Sequence, residues 1–100
     1  MVLLSPMSKK AFGQTFWTDG IDNWNTAANW SLGVPNVGSM TAFDAVIENG
    51  GTAQLTVPPN GSVRRFRVGR AAGAGNVLVD AATLNVTQDL YLNEKTSPIA

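Results

Sequence analysis

From Asp44 onward, apolar and polar residues alternate in runs too short for helices, each closed by turn residues. DAVIEN (44–49) ends at GG (50–51), and TAQLTV (52–57) ends at PPNG (58–61). SVRRFRVG (62–69) leads into RAAGAG (70–75), and NVLVDA (76–81), ATLNVT (82–87) and DLYLNE (89–94) follow. Each run is rich in Val, Leu, Ile and Thr at period two, as half-buried strands require. Six short strands are predicted. Within SVRRFRVG, Phe66 and Val68 share one face, and Arg65 and Arg67 share the other. Arg64 falls on the Phe66 side, which predicts a bend or bulge there that returns it to solvent.

The order strand, turn, strand, turn, strand occurs over 44–69 and again over 76–94. Superposing the two places Ile47 over Val79, Leu55 over Leu84, Val57 over Val86 and Phe66 near Leu90. Repetition at this spacing is a mark of solenoids, where each unit buries its apolar face on the next. The fold expected is all-β: a short parallel β-helix (β-solenoid) of about two three-strand coils. A six-strand β-sandwich is the alternative, since its turns also recur every 8–12 residues.

Residues 17–36, WTDGIDNWNTAANWSLGVPN, break this rhythm and hold all three tryptophans. The opening MVLLSPMSKKAFGQTF places a short apolar MVLL before Lys9 and Lys10, the reverse of a secretory signal. The chain therefore divides into an extension over 1–16, a Trp-rich segment over 17–43, strands over 44–94 and a tail over 95–100.

Composition narrows the chemistry. Formal net charge is zero, which disfavours nucleic acid and anionic lipid as partners. There is no cysteine and no histidine, so thiolate and imidazole ligands or bases are absent. No stretch reaches the length of a membrane span. DGIDN (19–23) lacks the fixed pattern of a calcium loop and reads as an Asx-turn, so no metal is expected. GRAAGAG (69–75) lacks the Gly-Lys-Ser/Thr ending of a phosphate loop and reads as a turn, and no cofactor is expected. Asp44, Glu48, Asp80, Asp89 and Glu94 are the carboxylates on offer for a glycosidase pair, but they sit at strand ends beside turns. Arg64, Arg65, Arg67 and Arg70 read as a solvated strand face with partners such as Glu48 or Glu94. No catalytic residue is assigned.

Two uses of the indoles remain open. Trp17, Trp24 and Trp30 could bind sugar faces, with Asp22 and Asn25 among the polar partners for hydroxyls. Alternatively, they cover the apolar end of the first coil, each hiding about 150–250 Å².

The residues from Trp17 to about 93 resemble the coils of bacterial autotransporter-like passenger proteins. In that family an NWxxxxNWSxGxPxxxD segment precedes LxVGxxxGxGxLxVxxxxLxV coils. The positions set against it are Trp24, Trp30, Ser31, Gly33, Pro35 and Asp44, then Val68, Gly69, Gly73, Gly75, Leu78, Val79, Leu84 and Val86; Asp44 comes nine residues after Pro35 rather than four, and Leu78 three after Gly75 rather than two. The resemblance implies a right-handed parallel β-helix with an N-terminal cap, at the cell surface or outside the cell. The resemblance is nearly silent on activity; the role expected is structural or adhesive and non-catalytic. A small carbohydrate-binding module with a polysaccharide partner is the alternative, and a fragment of a polysaccharide-active β-helix enzyme the third. The family stacks many coils and this chain about two, so one end face is expected bare and open to self-association through 76–94.

Overall fold

The computed structural model describes residues 13–70 and 72–93. Seven strands follow one another: β1 (Gln14–Phe16), β2 (Ile21–Asn23), β3 (Asp44–Ile47), β4 (Thr52–Leu55), β5 (Gly61–Val68), β6 (Asn76–Val79) and β7 (Leu84–Leu92). The only helical element among the described residues is a 3₁₀ turn at Ala27–Asn29. The odd-numbered strands form one sheet in the order β1-β3-β5-β7, and the even-numbered strands a second in the order β2-β4-β6. All five strand pairings are parallel. The protein is all-β, and its chain crosses to the other sheet after every strand. Parallel neighbours cannot be joined by a tight hairpin; here the intervening strand of the other sheet makes the connection. The antiparallel pairing that hairpins of a β-sandwich would give is absent from these strands.

Alternation decides which side chains enter the space between the sheets. Ala45, Phe66 and Leu90 stand in one row, Ile47, Val68 and Leu92 in a second, and Val63 and Val86 in a third. From the other sheet come Ala53 beside Val77 and Leu55 beside Val79. Ala45, Ile47, Ala53, Leu55, Val63, Phe66 and Val68 form one buried cluster with the three tryptophans.

The repeat unit differs from the expected one. The predicted strands 82–87 and 89–94 are a single strand, β7, which runs unbroken through Gln88. Each repeat is therefore two strands, one per sheet, rather than three. Phe66 does lie beside Leu90, but Leu55 lies beside Val79 instead of Leu84, and Val63 rather than Val57 lies beside Val86. Ile47 and Val79 belong to different sheets. Apolar alternation cannot tell the sheets apart, because both face the same core. Partners lie 21 residues apart at Ala45–Phe66 and 24 at Thr52–Asn76, but 30 at Gln14–Asp44, where residues 24–43 loop out.

The irregularity predicted at Arg64 is present: pairing with β7 slips between Val63, opposite Val86, and Arg65, opposite Asp89. Arg64 stays only partly exposed, because its guanidinium grips Asp44 with two bonds of 3.1 and 2.9 Å. Of the expected 1–16 extension, only Gly13–Phe16 are described, and Gln14–Phe16 form β1. The 95–100 tail lies outside the described residues.

Candidate functional site

The tryptophan-rich segment is held by bonds that return it to the first strands. Trp17 continues β1, its N–H donating to Val46 O at 2.9 Å, and it bridges antiparallel to Trp30. Thr15, inward on β1 and fully buried, donates to Gly33 O and accepts from Leu32 N–H, both at 2.9 Å. Ser31 N–H donates to Phe16 O, while the Ser31 hydroxyl accepts from Phe16 N–H. Asn29 is buried and donates to Asn23 O at 2.9 Å, closing the loop around the 3₁₀ turn. Gly33 has φ +90°, a conformation that disfavours any side chain, and Pro35 behind it is fully buried.

The three indoles lie inside. Trp17, Trp24 and Trp30 are 3%, 0% and 3% exposed. Trp17 meets Trp30 edge to face with centroids 5.0 Å apart, Trp30 meets Trp24 at 5.0 Å, and Trp24 meets Phe66 at 5.4 Å. At about 25 cal/mol per Å², burying an indole of about 150–250 Å² stabilises by roughly 4–6 kcal/mol before entropy. Trp17 Nε1 donates to Gly20 O at 2.9 Å and Trp30 Nε1 to Trp24 O at 2.8 Å. The buried Trp24 Nε1 has no hydrogen-bond partner among the described residues.

A sugar needs a ring face in solvent, and none of the three offers one. The five residues expected to bind glycan are not assembled into an open platform. Asp22 and Asn25 are half-buried. Asp22 accepts from its neighbour Asn23 N–H at 2.7 Å, and Asn25 donates to Val57 O and Pro59 O, fastening the loop before β5. Of the NW…NWSxGxP…D pattern, Trp24, Asn29, Trp30, Pro35 and Asp44 are buried. The last of them, Asp44, is buried and accepts from Arg64 Nε, an Arg64 terminal nitrogen and Arg65 N–H.

The outer face of the β1-β3-β5-β7 sheet carries the charged groups. Phe16, Val46, Arg67 and Tyr91 form one cross-strand row, with the Arg67 guanidinium 4.4 Å from the Tyr91 ring centre. Arg64 lies 4.2 Å over Phe43, and its hydrogen bonds to Asp44 raise its pKa above the ordinary arginine value. Arg65 pairs with Asp89 at 3.2 Å and Arg70 with Glu48 at 3.0 Å. Of the carboxylates weighed as a glycosidase pair, Asp44, Glu48 and Asp89 thus each hold an arginine, and Glu94 lies outside the described residues. Among the described residues, no group of three or more acidic side chains is placed to hold a metal ion, and no helix is long and apolar enough to cross a membrane.

The glycines of RAAGAG serve close approach. A Cβ on Gly75 would run into Ile47 O, and one on Gly73 into Glu48 O. That loop lies on the end of β3, with Gly50 N–H donating to Ala74 O at 2.8 Å. Sequence reasoning missed this constraint because a glycine chosen for contact and one chosen for a turn look alike in the chain.

Compared with known proteins, the chain matches no family model, no curated protein and no solved structure.

Proposed function

We infer that the chain is a structural or adhesive β-solenoid module of a secreted or cell-surface bacterial protein, related to autotransporter-like passengers and non-catalytic. The observation that carries this reading is the burial of the indole cluster within the stacked strands. The residues best suited to hold a ligand are spent on closing one end of the stack. Parallel pairing at a repeat of 21 to 24 residues beyond the looped segment supports the same reading. Such a module presents the side faces of its sheets to the surroundings.

Retention on insoluble cellulose, xylan, chitin and alginate tests the reading, together with acrylamide quenching of tryptophan emission. The expected result is no retention and indoles shielded until the protein unfolds. Retention on one glycan with a matching change in tryptophan emission would replace it with the carbohydrate-binding module.

A further inference from the structure

The two ends of the stack are unlike. At the β1–β2 end, Thr15 is fully buried beneath residues 24–36. On the edge strand β2, Asp22 takes the inward register position beside Ala53. An inward charge on an edge strand blocks addition of another strand.

The β6–β7 end carries no such block. Its inward apolar positions are Val77, Val79, Leu84, Val86, Leu90 and Leu92, beside core residues of the layer below or, at Leu84, Gly61; the polar Gln88 shares their parity on β7, where the pairing with β5 slips. Val79, Leu90 and Leu92 are 39%, 54% and 64% exposed, whereas Leu55, Phe66 and Val68 beside them are 0%, 0% and 6%. Among the described residues, both outer strands of this end also lack a further neighbour in their sheets.

The inward apolar pattern of β7 is the same read in either direction. Set antiparallel to a second copy about Gln88, Leu84 falls opposite Leu92 and Val86 opposite Leu90, all inward. Asn85 then meets Tyr91, and Thr87 meets Asp89, so no like charges oppose. Every side chain keeps its face, because a two-fold centred on a residue preserves the parity of the strand.

We propose that the β6–β7 end binds a second copy of this chain, with β7 pairing antiparallel to its counterpart about Gln88, to form a closed two-fold dimer. The partner must be tail to tail. A head-to-tail contact would set the apolar face on the end that Asp22 and the 24–36 segment close, and would propagate into filaments. A nine-residue strand spans about 30 Å and the sheets lie about 10 Å apart. The end face is thus several hundred Å² per copy, in the class of weak, reversible interfaces. Pairing through β7 requires only the parallel sheets, whatever role the module serves.

The chain has no cysteine, so single-cysteine variants report contacts cleanly. Opposed antiparallel residues lie about 4.5–5.5 Å apart at Cα, inside the range a disulfide bridges. Under mild oxidation, Gln88→Cys should form a covalent dimer rapidly. Ile21→Cys, at the closed end, should not, and a mixture of the two should give no mixed species. Sedimentation equilibrium of the unaltered chain should show a monomer–dimer equilibrium between about 10 µM and about 1 mM, the range of weak interfaces. Leu90→Lys, at an exposed position, should keep the circular dichroism of the parent and remain monomeric. Three results would overturn the proposal: a parent that stays monomeric throughout, Ile21–Gln88 mixed dimers, or equal cross-linking of both variants.

Discussion

Trp24 and Trp30 allow a comparison in which ring size cancels. Each makes two edge-to-face contacts, Trp24 with Trp30 and Phe66, Trp30 with Trp17 and Trp24. Replacing either by Phe removes the same atoms from the same cluster, so the transfer and cavity costs are similar. The N–H groups differ. Trp30→Phe removes the donor to Trp24 O and leaves a buried carbonyl unpaired, at about 1–3 kcal/mol. Trp24→Phe removes a donor that has no partner among the described residues, and so relieves a penalty of the same kind. Trp30→Phe should therefore be the more destabilising by about 2 kcal/mol or more, which for a domain of this size separates the melting midpoints by about 8 °C or more. Urea unfolding followed by far-ultraviolet circular dichroism measures the difference, and an unchanged m-value certifies that the same surface unfolds. Equal stabilities within about 0.5 kcal/mol, or the reverse order, would refute the assignment of these two N–H groups.

Gly75→Ala should destabilise by about 1–3 kcal/mol, since its Cβ meets Ile47 O, whereas Gly20→Ala, with open space around it, should stay within about 0.5 kcal/mol; thermal melts distinguish them. Asp44→Ala leaves the Arg65 N–H without its acceptor and should cost at least about 1–3 kcal/mol in urea denaturation. Asp89→Ala, from a pair in which both side chains are over one-third exposed, should change stability by less than about 1 kcal/mol in the same assay.

Much of the architecture was legible because alternation is a local property. Runs such as TAQLTV and NVLVDA announced strands, and the clash of parity in VRRFRV located the irregularity at Arg64. Which strand neighbours which was not legible, because membership of a sheet depends on turn lengths that no residue type encodes. The split predicted at Gln88 failed for a related reason: a polar residue on an outermost strand meets solvent wherever it points, so it need not end the strand. Clustered indoles beside asparagines also suggested a sugar site. Only the tertiary path shows that Thr15, Ser31 and Asn29 fold the segment back over the core.

The contact between Trp24 and Phe66 has a kinetic consequence. Neighbouring strands pair residues 21 to 31 positions apart, so each added strand closes a loop of similar length. Closure entropy grows only slowly over such a range, by about 0.6 kcal/mol for each doubling. The indoles, however, gain their full packing only when β5 brings in Phe66, forty-two residues after Trp24. The chain from β1 through β5 therefore has to be collected before its largest side chains are rewarded. The barrier to folding is expected to belong to that whole span, with β6 and β7 adding afterwards along an edge already built.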